Sequence, residues 1–379
     1  MSLLPRLAVL LIIVWLALTS PVSAAPDSPD PPPAMSTLPP AESLMAVPEA
    51  LRQLVRQRVM PRPGPDRQLE ALADFLLRPE GLGLRYRHDA TLSVAEAFER
   101  REGNCLTFTL VTVALARELG FKAYGQDADA VSWHQEGGSV YRTQHVNAGV
   151  RIEGRRFSVD IASNQVITRE PPQPIDDARL LAHYYSNRAA ELLAAGQLQA
   201  AIAHAERALQ VDPRHAAALS NAGVIRARMQ DPAGAEQDYL RALSIDPRHP
   251  GALFNLSELY ARSGRGSLAP HAQERLRHEL QRDPFHHFML GLQREAAGDP
   301  RGALAHFQRA VRLHRHDHRF HFAQARAWIA LDRGDRAARA LQTARELSAG
   351  EQQQRYQAKL EGLRARPANG PWLHGRRSS

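Results

Sequence analysis

The chain has 379 residues, 44% of them apolar and 23% charged, and carries a net charge of +8. That length leaves room for about two folded units, and the composition is that of a globular protein. Its single cysteine, Cys105, excludes an internal disulfide and any zinc site built on several thiolates.

Arg6 precedes an apolar run, Leu7–Leu18, and the small residues Val22-Ser23-Ala24-Ala25 follow. This is the pattern of a secretory signal peptide over 1–25, with cleavage expected after Ala24 or Ala25. The run is short of the roughly 20 residues that a spanning helix needs, so no transmembrane span is expected in the mature chain. The expected location is exported, periplasmic or secreted. Residues 26–48 are dense in proline and read as an extended linker.

Two helical patterns follow, with Leu51, Leu54 and Val55 on the first and Leu69, Leu72, Ala73, Leu76 and Leu77 on the second. Pro61 and Pro63-Gly64 separate them. Ser93-Val-Ala-Glu96 is a capping box and predicts a short helix ending near Glu102, broken by Gly103. A longer helix is expected from Cys105 to Leu119, stopped by Gly120. The period then changes, and Phe121–Gln126, Tyr141–Ile152 and Phe157–Ala162 read as strands. Glu153-Gly154 is the turn of a hairpin between the last two. A two-residue turn pairs Asn147 with Asp160 and makes His145 the diagonal neighbour of Asp160, whereas a four-residue loop pairs His145 with Asp160 directly. Both registers keep the two side chains on one face.

Cys105 at a helix start, His145 on a strand and Asp160 on the next are the parts of a nucleophile, its base and the group that orients the base. Thiols attack as thiolates, and a helix N-terminus and a nearby imidazole are surroundings that favour that form. The backbone N–H of Cys105, unpaired at the helix start, is a natural half of an oxyanion hole. Trp133 and His134, in the loop expected before the histidine strand, are candidates to line the cleft. Thr91–Ala116 with its Gly103-Asn104-Cys105 junction, followed by His145 and Asp160, resembles the transglutaminase-like superfamily. The resemblance covers about 70–165 and implies an α+β, papain-like fold with a Cys-His-Asp triad. It implies acyl chemistry at an amide through a thioester, with water or an amine as acceptor, on a protein, peptide or cell-wall substrate. The residue after His145 is Val146 and Asp160 is followed by Ile161, departures from the superfamily's usual aromatic and Val-Asp-Pro patterns.

Pro171-Pro172-Gln173-Pro174 marks a boundary, so 49–170 is expected to be one domain and 171–181 a linker. Beyond it three columns repeat every 34 residues: Ala201, Ala235, Ala269, Ala303, Ala337; Ala208, Ala242, Leu276, Ala310, Ala344; and the small Ala189, Gly223, Ser257, Gly291, Ala325. This predicts five helix-pair units over 182–350 in an all-α superhelical array that resembles tetratricopeptide repeats, the small column marking where two helices cross closely. The third unit departs most, with Leu276 and Gln273 at positions other units fill differently, which predicts a displaced second helix. Residues 351–379 are expected to be a helical end and a basic disordered tail.

Residues 182–350 carry +6 and 351–379 carry +4, against −3 for 25–181. The basic array points to a protein or peptide partner and an acidic cell-envelope component, and export argues against nucleic acid. His314, His316, His318 and His321 cluster around Asp317 but fall where two repeats join, so turn chemistry is expected rather than a metal site. No phosphate-binding loop is present, and no cofactor is expected. Two functions follow: a thiol hydrolase or acyltransferase whose repeats dock a protein, or a catalytically idle interaction scaffold that works through its repeats.

Overall fold

The computed structural model describes residues 38–136, 139–160, 166–168, 172–348 and 350–364. The expected leader, the first part of the proline-rich segment and the basic end beyond 364 lie outside them. The described residues divide into two compact units between Gln273 and Glu274, inside the repeat region rather than at its start.

The first unit begins with a 3₁₀ turn at Ala41–Ser43. Two amphipathic helices follow, α1 (Glu49–Arg58) and α2 (Pro65–Leu77), and bury Leu51, Val55, Leu69, Leu72 and Leu76 as the periodicity predicts. The proline-rich stretch is not all linker. Leu44 is fully buried in the core, its carbonyl accepts from the Val94 N–H, and the Tyr185 hydroxyl donates to the Pro39 carbonyl at 2.6 Å. Apolar residues between the prolines anchor this segment, a feature that proline density hides.

Next come β1 (Arg85–Tyr86), α3 (Val94–Arg100), β2 (Glu102–Gly103) and α4 (Cys105–Glu118). The capping box forms at Ser93 and Glu96 as written in the sequence. Arg101, not Gly103, ends α3 in the left-handed conformation (φ 57°). Gly103 is needed for space: a Cβ there would lie 2.4 Å from Thr107 Cγ2. In α4 every residue from Leu106 to Ala116 is buried, so this helix is the hub of the unit rather than an amphipathic surface element.

The sheet comprises β3 (Lys122–Glu136), β4 (Ser139–Ile152), β5 (Arg155–Val159), β6 (Val166–Thr168) and β7 (Gln173–Ile175). Its order is β5-β4-β3-β6, and β7 also pairs with β3, all antiparallel. One face of β3 and β4 packs on α4. The span expected to be a linker, 171–181, instead contributes β7 and the start of α5 (Asp177–Ala194), because Asp176 caps that helix directly after the strand.

From α5 onward the unit is helical: α6 (Leu198–Val211), α7 (Ala216–Arg228), α8 (Pro232–Ile245), α9 (Pro250–Arg262) and the start of α10 (Ala269–Gln281). Pairs α5–α6 and α7–α8 pack as helical hairpins. The hydrophobic core is continuous across the sheet region and the first helices of the array, joining Leu106, Val111 and Val150 with Leu180, Tyr184, Tyr185, Ala208 and Ala218. The second unit holds α11 (Pro284–Ala296), α12 (Pro300–Leu313), α13 (His318–Ala330), α14 (Gly334–Glu346) and α15 (Gly350–Arg364), with α11–α12 and α13–α14 as hairpins. All residues of the first two sequence columns are buried. No helix of the described residues is long and apolar enough to cross a membrane.

A polar chain ties the sheet to the array. His215 Nδ1 accepts the Ala218 N–H that begins α7, so its Nε2 carries the proton and donates to His183 Nδ1 at 3.1 Å. His183 Nε2 in turn faces Asp127 Oδ2 on β3 at 3.4 Å. Burial first, then the neighbouring His183, Arg179 and His249, hold the His215 imidazole well below the ordinary range. Such a group is neutral in the folded chain and protonates on unfolding, so its stabilisation is complete above about pH 6.5 and is lost as pH falls below it. Urea melts of the full chain between pH 7 and pH 4.5 are expected to lose stability toward acid, and His215→Gln is expected to flatten that slope. A wild-type slope retained in the variant would assign the acid loss to other groups.

Candidate active site

The three residues singled out in the sequence meet at the N-terminal end of α4. Asn104 caps the helix, its Oδ1 accepting the Thr107 N–H at 3.0 Å, and Cys105 is the first helical residue. The first N–H groups of a helix have no intrahelical partner, so the thiol stands beside free backbone donors and the positive end of the helix dipole. The Thr109 hydroxyl bonds back to the Cys105 carbonyl at 2.8 Å and reaches the Val146 carbonyl at 3.3 Å, tying this turn to the strand that carries His145.

The hairpin takes the shorter of the two registers. Ile152 pairs with Arg155 around Glu153-Gly154, both with positive φ (49° and 82°), which is a two-residue turn of type I′. The ladder ends at Ala148–Val159, one step from Asn147 and Asp160, and His145 lies diagonally from Asp160. His145 Nε2 meets Asp160 Oδ2 at 2.8 Å. The β3–β4 register breaks immediately beyond the Ala128–His145 pair, the kind of irregularity that re-aims a side chain.

His145 is 1% exposed, Asp160 18%, and Cys105 is half-buried. Burial alone would lower the imidazole, but its bond to Asp160 and its contact with the Cys105 thiol outweigh burial and raise it to about 9. The Nδ1 atom is buried with no hydrogen-bond partner. With Nε2 committed to Asp160, Nδ1 is the ring atom left for exchange of a proton with the thiol.

Two neighbours escaped the sequence reading. Asn147 Nδ2 donates to Asp160 Oδ2 at 3.2 Å, giving the carboxylate a second fixed donor. Tyr86 pairs with Gly103 through the short β1–β2 bridge. The residue is 41% exposed, and its hydroxyl is pushed up, first by partial burial and then by the nearby Cys105 and Asp160. A two-residue bridge leaves no periodic signal from which Tyr86 could be read. Trp133 and His134 belong to β3 rather than to a loop, and their side chains lie outside the described residues.

In the second unit the clustered histidines part company. Asp317 caps α13, His318 bonds the Tyr356 hydroxyl at 2.9 Å, His321 reaches the Arg315 carbonyl at 2.8 Å and His314 lies edge-on to Phe320. Among the described residues no three metal-ligating side chains gather.

No curated protein matches the chain. Solved structures similar to its helical part include the MamA protein, at 17% identity over 44% of this chain and 91% of that one, with a TM-score of 0.25. Another is TTC0263, a thermophilic TPR protein in Thermus thermophilus, at 21% identity over 48% and 98%, TM-score 0.26. A third is YrrB, described as a TPR protein with an unusual peptide-binding site, at 18% identity over 47% and 92%, TM-score 0.25. Likeness at this level carries no argument about function. Residues 187–250 and 288–352 match the tetratricopeptide repeat family, and the C-terminal part of this chain is a helical, tetratricopeptide-like repeat array.

Proposed function

We propose that this chain is a protein-binding scaffold whose N-terminal region carries a thiol site for acyl chemistry at an amide. The repeats support the first part, since stacked helix pairs present extended surfaces suited to a protein or peptide partner. The second part rests on one observation: Cys105 opens a buried helix against an imidazole that Asp160 holds at 2.8 Å. The site is read as a Cys105-His145-Asp160 triad of the transglutaminase-like, papain-like kind, in an exported protein.

In this reading the Cys105 proton already rests on the His145 imidazole, raised to about 9, and the Cys105 thiolate attacks the amide carbonyl carbon. The tetrahedral oxyanion is met by the backbone N–H of Cys105. The C–N bond breaks as His145 returns the proton to the leaving amine, and a thioester remains. Water or a second amine, deprotonated by the same imidazole, releases the acyl group and regenerates the thiol. Asp160 holds the ring in register throughout and neutralises the imidazolium.

The test is iodoacetamide alkylation of the folded, leaderless chain across pH 5 to 9. Rapid modification of Cys105 below pH 7, lost in His145→Ala with an unchanged circular dichroism spectrum, is the expected result. Modification that follows an ordinary thiol near pH 8.5 in both chains would remove the enzymatic part. The repeats alone would then support the second reading, an idle scaffold, and a pull-down with the array would be the next step.

A further inference from the structure

We infer that Glu191, on the first helix of the repeat array, is a positioning residue for the Cys105 thiol and acts through Thr91 and Asn104. The inference rests on the proposal that Cys105 is a nucleophile.

The Glu191 Oε1 atom accepts the Thr91 backbone N–H at 3.0 Å, across a sequence separation of 100 residues. Thr91 is 1% exposed, and its Oγ1 accepts from Asn104 Nδ2 at 2.7 Å. Asn104 is 5% exposed, and its Oδ1 accepts the Thr107 N–H in the first turn of α4. The links meet in Thr91, whose N–H is held by Glu191 and whose hydroxyl oxygen holds Asn104. The Asn104 amide must present nitrogen to Thr91 and oxygen to Thr107, and the residue bonded to Asn104 is Cys105. The backing is tight as well, since Thr107 Oγ1 accepts the Leu92 N–H at 2.8 Å and donates to the Ala90 carbonyl at 3.0 Å.

Glu191 suits this task for physical reasons. Its side chain is 20% exposed, and partial burial raises the carboxyl against the pull of Arg188 and of the Thr91 bond. Arg188, one turn earlier on α5, pairs with its Oε2. A half-buried carboxylate held from behind by a guanidinium is a stiff acceptor. Were the Thr91 hydroxyl removed, the Asn104 Nδ2 donor would be stranded in a dry site at a cost equivalent to losing a buried hydrogen bond. The least costly relief is for the amide to swing away from the cap, and that frees the turn that carries the thiol. The array is therefore part of the scaffold of the site, as the continuous core from Leu106 to Tyr185 requires.

The experiment uses the full chain and two readouts: the rate of Cys105 alkylation by iodoacetamide at pH 7, and hydrogen exchange of the amides at 104–107. Thr91→Val and Glu191→Ala are each expected to slow alkylation about tenfold and to speed exchange at 104–107, with circular dichroism unchanged. Combining them is expected to add little, because both cut one chain of contacts. Thr91→Ser, which keeps the hydroxyl, is expected to restore both readouts. Wild-type rate and exchange in Thr91→Val and Glu191→Ala would overturn the inference, as would failure of Thr91→Ser to recover either. A wild-type thiol of ordinary reactivity would sink the nucleophile proposal instead, and the exchange readout would still report whether Glu191 holds the cap.

Discussion

Asp160→Asn is expected to lower the His145 imidazole from about 9. Burial is the largest influence on that ring and acts downward, and only the bond to Asp160 and the neighbouring thiol overcome it. Asparagine keeps the shape and can still accept from Nε2, but it removes the charge that favours imidazolium. Less imidazolium would then stand beside the thiol, and the acid limb of Cys105 alkylation would shrink, a fall of about tenfold in rate at pH 6. The same pair sets an alkaline limit on stability. A group raised in the folded state contributes fully below about pH 6.5 and loses its contribution as pH climbs through 9, and the raised value corresponds to about 3 kcal/mol at most. Urea melts from pH 6 to pH 10 are therefore expected to decline in the wild type and to stay flatter in Asp160→Asn. Equal slopes in the two chains would show that the imidazole is not held by this carboxylate.

Gly291→Val is expected to destabilise the second unit by about 3 kcal/mol or more, since overpacking of a well-filled core adds to the poor fit of a β-branched residue in a helix. A Cβ at 291 would lie 2.4 Å from Phe307 Cε1, and Phe307 is fully buried against Phe288. Gly223 stands in the same relation to Tyr239, at 2.5 Å. Where this small column carries alanine, the helix opposite carries something smaller: Ala189 shares a cluster with Ala205, and Ala325 shares one with Leu341. Glycine against an aromatic and alanine against an aliphatic are two solutions to one interhelical distance. Gly291→Ala combined with Phe307→Leu copies the Ala325–Leu341 solution, and it is expected to melt closer to wild type than Gly291→Ala alone. A thermal melt decides, with a loss of about 10 °C or more expected for Gly291→Val. If Gly291→Val melts with the wild type, the crossing is looser than the side chains imply.

What was legible in the sequence follows from periodicity and local chemistry. The 34-residue columns reported the array, because every repeat must solve the same packing problem with residues of the same size. Ser93-Glu96 announced its helix start, since caps are local hydrogen bonds. The hairpin alternatives both placed His145 and Asp160 on one face, and only the observed I′ turn at Glu153-Gly154 chose the diagonal register. The rest depended on contacts distant in sequence. Leu44 within a proline-rich stretch, β7 within an expected linker, and the Thr91–Glu191 bond carry no spacing signal, because their partners are 50 to 100 residues away. The sequence by itself determined the repeat array and the order Cys105, His145, Asp160. The tertiary structure alone decided that the first repeat helix shares a core with the sheet region and reaches the cap of the helix that Cys105 opens, because burial joins whatever apolar faces meet, regardless of where composition marks a domain boundary.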